Sequence, residues 1–364
     1  MIRPLPYVGA IKPYVPGKPV RELERDLGIQ GSIKLASNEN PLGASPLALE
    51  ALKEVERHEL GRYPDGSGYY LKNALSERLS QGGVRISPEE LILGNGSNEL
   101  LDIAARTFLG QGDEAVMAAP SFAVYSMAVM AVGATSVVVP LRDYRHDLRA
   151  MADAVTSRTR MVFIANPNNP TGTINSGEEF SQFMERLPDG VLVVVDEAYL
   201  EYVTDPDYPD SLRYLAVGKD ILVLRTFSKA YGLAGLRVGY GMAKREILAE
   251  MNKIRNPFNT GTLAQWAAMH ALNDSDHLDR TREVNEEGKA FLYEELTALG
   301  LGYVPTEANF IYMPLDREAG PLYEALLRKG VIVRPMGPRE IRVTIGLPDE
   351  NRRFVEALKE VSGL

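Results

Sequence analysis

The stretch Thr226-Phe227-Ser228-Lys229 brings two hydroxyls and a primary amine to the end of an apolar run, and Arg237 follows after a glycine-containing bend. Two hydroxyls with a guanidinium make a phosphate grip, and the lysine beside them is a nucleophile. A lysine in a polar loop is ordinarily just solvated. Held among other cations and partly desolvated, it loses proton affinity and becomes a Schiff-base former.

Asp196 closes the apolar run 191–195, where a carboxylate is costly unless a cation or a metal meets it. A protonated pyridine nitrogen is one such partner. A magnesium ion of the Walker type is another, and a cap on a neighbouring turn is a third. The chain holds no Gly-x-x-x-x-Gly-Lys-[Ser/Thr] loop, which weighs against the magnesium reading.

Gly94-Asn95-Gly96-Ser97-Asn98 precedes Leu100, Leu101, Ile103, Ala104 and Phe108, the spacing of a helix packed on a sheet. Its amides, Ser97 and the helix dipole make an anion cradle, although the same glycines suit a plain strand-to-helix turn. Asn166-Pro167-Asn168-Asn169-Pro170-Thr171-Gly172 and Asp196-Glu197-Ala198-Tyr199 complete a set of polar clusters. Each falls where an expected strand ends, the edge at which open α/β sheets bind ligands.

Helical signals and short β-branched runs alternate along most of the chain, the pattern of an α/β domain with a mainly parallel sheet. Strands are expected at 91–93, 115–118, 136–139, 161–165, 191–195, 221–224 and 238–242, together one seven-stranded sheet. Ser45-Pro46 opens a helix, and Ser87-Pro88-Glu89-Glu90 leaves room for one helical turn before the first of these strands. From about Lys244 long helical stretches take over, the longest at 276–299, with short strands at 310–313, 331–334 and 341–345. Proline denies residues 4–19 both ladder donors and helical continuity, so they form an extended arm. The division expected is 1–45 as arm and part of a small domain, 46–255 as the large domain, and 256–364 as a smaller α/β domain.

At 364 residues the chain has room for two such cores, and its 45% apolar and 24% charged residues are ordinary globular values. No run approaches the roughly 20 apolar residues of a membrane helix, and the first residues do not resemble a secretory or transit signal, so a cytoplasmic, soluble protein is expected. Zero cysteines exclude thiolate sites, and four histidines without ligand spacing leave no metal site expected. A net charge of -9 disfavours a nucleic-acid partner. Any hard chemistry in this chain therefore needs another source.

Asn169-Pro170-Thr171-Gly172, Asp196-x-x-Tyr199, and Ser228-Lys229 with Arg237 resemble the fold-type I, pyridoxal phosphate-dependent aminotransferases of class II. Lys12-Pro13-Tyr14-Val15-Pro16-Gly17-Lys18, Leu35-Ala36-Ser37-Asn38-Glu39-Asn40-Pro41 and Arg62-Tyr63-Pro64-Asp65-Gly66 narrow the resemblance to the histidinol-phosphate aminotransferases. Val333-Arg334-Pro335 and Ile341-Arg342-Val343-Thr344-Ile345-Gly346 add to it. One departure is Phe122, where many relatives carry a tyrosine, so that stacking is kept but a hydroxyl contact is lost.

The resemblance implies a cofactor, pyridoxal 5'-phosphate, bound as an imine on Lys229, which also moves the substrate proton. It implies Asp196 on the ring nitrogen, Asn169 and Tyr199 on the ring oxygen, and Phe122 on the ring face. The phosphate is expected among Gly96, Ser97, Asn98, Thr226, Ser228 and Arg237, with Tyr63 reaching in from the second subunit of a homodimer. Tyr14, Asn38, Arg334 and Arg342 are the expected substrate contacts. The activity implied is amino transfer between histidinol phosphate and 2-oxoglutarate in histidine biosynthesis. Preference for aromatic amino acids, decarboxylation of threonine phosphate, and a cofactor-sensing module without turnover remain the alternatives.

Overall fold

The computed structural model of the chain describes residues 2–362. Its centre is a sheet in the order Leu91–Gly94, Gly239–Met242, Ile221–Thr226, Leu192–Asp196, Thr159–Ala165, Glu114–Ala119, Thr135–Pro140. These are the seven strands expected from the β-branched runs. All neighbours pair in parallel except Gly239–Met242, which runs antiparallel to both of its partners.

Strand side chains alternate between faces, and here both faces are covered. Val162, Ile164, Val193, Val195 and Val223 enter one core with the helices Tyr69–Ser80, Gly177–Arg186 and Thr262–Ala271. Met161, Phe163, Leu192, Val194 and Leu224 enter the other with Ser97–Phe108 and Arg245–Ile254. Near-continuous apolar runs are the consequence of burial on two sides, which is why short apolar runs rather than alternation mark the central strands. The helix Pro46–Lys53 starts under the Ser45 cap as expected, and Pro88–Glu90 is a single 3-10 turn closed by a Ser87–Glu90 capping box.

The smaller unit packs Ser275–Ala298, Ala319–Arg328 and Pro348–Ser362 around an antiparallel sheet ordered Arg334–Gly337, Glu340–Thr344, Phe310–Pro314. The expected strand 331–334 divides: Val331–Ile332 pairs in parallel with Ile33–Lys34 near the start of the chain, while Arg334–Gly337 joins the antiparallel sheet. Ile33–Lys34 is thereby tied to the small unit, and Leu23 and Ala36 pack there on Leu327 and Ile332. Thr262–Ala271, beyond position 255, packs instead on Pro46–Lys53 and Tyr69–Ser80, its alanines closing the core of the large sheet. The arm is extended from 11 to 19, with one 3-10 turn at Val8–Ala10. No helix among the described residues is long and apolar enough to cross a membrane.

Candidate active site

Strand direction assembles the site. The parallel strands ending at Ala119, Ala165, Asp196 and Thr226 deliver their following loops to one edge of the sheet. Because Gly239–Met242 runs the other way, the residues before it, Arg237 included, arrive at that same edge. The register sets Gly239 beside both Gly94 and Thr226.

A cavity of about 190 Å³ opens there, with Ser97, Asn98, Thr226, Ser228 and Arg237 at one end. Ser97 is the first residue of a 12-residue helix, so its amide and the positive helix end face the cavity. Arg237 Nη1 donates to Ser228 Oγ at 3.2 Å and to the Ala234 carbonyl at 3.1 Å. Thr226 Oγ1 accepts from the Ser228 amide at 3.1 Å. Gly96 backs this cup with φ 73° and ψ 160°, and a Cβ there would lie 2.3 Å from Arg237 Nη2. The guanidinium occupies the space that any other residue would fill.

Lys229 reaches into the middle of the cavity, where its Nζ donates to the Ser37 carbonyl at 3.0 Å and lies 5.6 Å from the centre of the Tyr199 ring. Burial lowers its pKa to about 7, and the nearby Arg342 and Arg237 push in the same direction. A substantial neutral fraction is thus present near neutral pH. Asp196, 7% exposed, lies on the wall of the same cavity. Burial raises its pKa to about 6, opposed by donation from the Tyr125 hydroxyl at 2.8 Å and from the Ala198 amide at 3.2 Å.

Around these groups stand Phe122, Asn169, Tyr199, Asn38, Tyr14 and Arg342. Asn38 Nδ2 donates to the Tyr199 hydroxyl at 2.9 Å, and burial moves that phenol up to about 12. Arg342 is 7% exposed and donates from Nη1 to Asn169 and from Nη2 to the Ala36 carbonyl at 2.8 Å. Its Nε has no partner among the described residues.

Three expected residues are off the wall: Gly96 backs the cup behind Arg237, and Arg334 and Tyr63 stand apart. Arg334 packs over the outer face of Tyr14 at 5.3 Å and donates to the Val15 carbonyl at 2.6 Å, so it clamps the arm rather than lining the cavity. Tyr63 is 82% exposed and stacks on Phe258 at 4.8 Å, outside the cavity of its own chain. Conversely, Tyr125 and the Ser37 carbonyl belong to the site and were not expected from sequence. Tyr125 carries a signal in retrospect: it follows Phe122 by three positions, across the turn that opens the helix Val124–Ala131, and its amide donates to the Phe122 carbonyl at 3.1 Å.

An anion cup, an amine of low proton affinity, an aromatic face and a buried acid around one slot suit a flat aromatic aldehyde bearing a phosphate and a basic ring nitrogen. The family model "Aminotransferase class I and II" matches residues 30–358. The chain belongs to the class I and II aminotransferases. It is 50% identical to a histidinol-phosphate aminotransferase of Moorella thermoacetica over 97% of this chain and 91% of that protein. It is 51% identical to histidinol-phosphate aminotransferase 2 of Pseudomonas aeruginosa over 98% of this chain and 96% of that one. The crystal structure of histidinol-phosphate aminotransferase from Sinorhizobium meliloti in complex with pyridoxal-5'-phosphate superposes with a TM-score of 0.90 at 28% identity, covering 99% of this chain and 98% of the other. The fold-type I aminotransferase architecture expected from the motifs is the one observed.

Proposed function

We propose that this aminotransferase binds pyridoxal 5'-phosphate at Lys229 and moves the amino group of histidinol phosphate to 2-oxoglutarate, giving imidazole acetol phosphate and glutamate. The observation that carries the cofactor assignment is the meeting of Lys229, Asp196 and the Arg237 cup in one cavity. The substrate assignment rests on the named relatives at 50% and 51% identity, each aligned over nearly its whole length.

The cofactor, when bound, supplies an electrophilic aldehyde carbon and a ring that accepts an electron pair. Arg237, Ser228, Thr226 and the Ser97 amide hold its phosphate by charge-assisted and neutral donors. Asp196 would keep a proton on its ring nitrogen, and Phe122 would stack against the ring. Asn169 and Tyr199 serve the ring oxygen, with Asn38 fixing the phenol. Lys229 Nζ, neutral in a useful fraction at pH 7, would take up and give back the proton of the substrate carbon that bears nitrogen.

Histidinol phosphate has no carboxylate, so the cation that clamps glutamate's carboxylate must also accept a phosphate. Arg342 suits both, since each terminal nitrogen keeps a second hydrogen after its bond to the protein. Tyr14 closes the mouth, and Arg334 holds Tyr14 there. We infer from the family resemblance a homodimer in which Tyr63 crosses to the partner's phosphate cup, a role that its 82% exposure beside Phe258 leaves open to it.

Single-turnover spectra of the loaded protein test the assignment. Histidinol phosphate and glutamate should convert the cofactor from aldehyde to amine form faster than phenylalanine, tyrosine or threonine phosphate. Faster conversion by phenylalanine or tyrosine would transfer the chain to the aromatic specificity. Lys229→Ala should abolish both the visible absorbance of the lysine-bound cofactor and the conversion.

A further inference from the structure

Asp196 makes few bonds for a buried carboxylate. Oδ1 accepts from the Ala198 amide, and Oδ2 accepts from the Tyr125 hydroxyl at 2.8 Å. Tyr125 is itself 1% exposed and locked in place, stacked on Phe163 at 5.1 Å and meeting Phe122 edge-on at 5.6 Å. No other acceptor is bonded to its hydroxyl among the described residues, so the O–H has one direction available. Burial and the Asp196 charge hold this phenol protonated well above the usual range, which makes it a donor at any working pH.

We propose that Tyr125 is a positioning residue: by donating to Asp196 Oδ2 it keeps the proton shared by Asp196 and the cofactor's ring nitrogen on the nitrogen. The inference rests on the assignment of pyridoxal phosphate to this cavity. That shared proton has two resting places, carboxylate with protonated ring or carboxylic acid with neutral ring, and no other species is gained or lost between them. A hydroxyl donor bonds more strongly to a carboxylate than to the neutral acid, so it favours the first arrangement. Only a protonated ring nitrogen makes the ring a strong electron acceptor. The hydroxyl also fixes the plane of the carboxylate, aiming its remaining lone pairs into the cavity.

Tyr125→Phe removes the hydroxyl and keeps both ring contacts. In protein loaded with cofactor carrying ¹⁵N at the ring nitrogen, the nitrogen signal should move from the protonated toward the neutral pyridine position. Turnover should fall roughly tenfold to a hundredfold, as for loss of a hydrogen bond to a charged group, with KM changing far less. A cofactor-affinity cycle supplies the second measurement. Tyr125→Phe should weaken binding in the native protein and have almost no effect where Asp196→Asn already removes the charge.

A nitrogen signal that stays at the wild-type position in Tyr125→Phe overturns the proposal, as does an affinity loss that persists in full beside Asp196→Asn. Wild-type protein that takes up no cofactor would instead overturn the cofactor assignment and this inference together. The two failures are therefore distinguishable in the first sample prepared.

Discussion

Replacing Gly96 by alanine probes the anion cup without replacing any side chain assigned to the cofactor. At φ 73° and ψ 160° the backbone lies in a region open essentially to glycine alone, so alanine there costs the folded protein about 1–3 kcal/mol. The new methyl would also sit 2.3 Å from Arg237 Nη2 and 3.1 Å from its Cζ. An arginine end is flexible and yields before the backbone does. Displaced, it loses its charge-assisted contact with the phosphate, about 1.5–3 kcal/mol, or a roughly ten- to hundredfold weaker affinity for pyridoxal phosphate. Titration of apoprotein with cofactor reads the second effect, and thermal unfolding of apoprotein reads the first. In an Arg237→Ala background the methyl has no guanidinium to push, so Gly96→Ala should add little further affinity loss. Native affinity in Gly96→Ala, or full additivity with Arg237→Ala, would refute the reasoning.

The lowered pKa of Lys229 predicts that capture of pyridoxal phosphate by apoprotein accelerates as pH rises through about 7 and then levels; a rate still climbing toward 10 would contradict it. The same shift has a stability sign: the unfolded lysine holds its proton up to about 10.5 and the folded one does not, so apoprotein gains stability between pH 7 and 10 from this group. Arg342→Ala should raise the transition-state barrier for both half-reactions by about 2–3 kcal/mol, and unchanged kcat/KM for glutamate would remove the clamp. The Arg225–Glu197 pair, at 2.8 Å with the two side chains 14% and 1% exposed, lies directly behind the site. Arg225→Leu leaves Glu197 charged and buried, so denaturant unfolding should show a loss of about 3–5 kcal/mol; a loss below about 1 kcal/mol would show the pair to be dispensable.

Much of the sheet and the chemistry was legible because both are written locally. Strands buried on two faces need near-unbroken apolar runs, and such runs mark the central strands Glu114–Ala119, Thr159–Ala165, Leu192–Asp196 and Ile221–Thr226 in the chain. Lys229, Ser228 and Thr226 lie on one loop, as do Asp196 and Tyr199, so their joint arrival follows once the strands are parallel neighbours. The split of 331–334 into two strands in different sheets was not legible, because an apolar stretch does not state its partner. Nor was the attachment of Thr262–Ala271 to the large core, since a stripe of alanines suits either unit. Arg334 shows a similar gap: its residue type suits an anion, but only packing tells that its guanidinium also lies over Tyr14 and donates to the Val15 carbonyl.

The sequence by itself determined which residues could do chemistry and at which strand ends they stand, because cofactor contacts depend on residue type and on loops a few residues long. Tertiary structure alone decided which of them touch. Tyr125 bonds Asp196 across 71 positions, Asn38 bonds Tyr199 across 161, and Arg342 bonds Asn169 across 173. The proton affinities followed from the same packing: Lys229 falls to about 7 because folding removes water from it and sets Arg342 beside it, and Asp196 rises to about 6 because burial outweighs the opposing hydrogen bond from Tyr125. Desolvation and contact across such separations are properties of the assembled core, and no short window of sequence contains them.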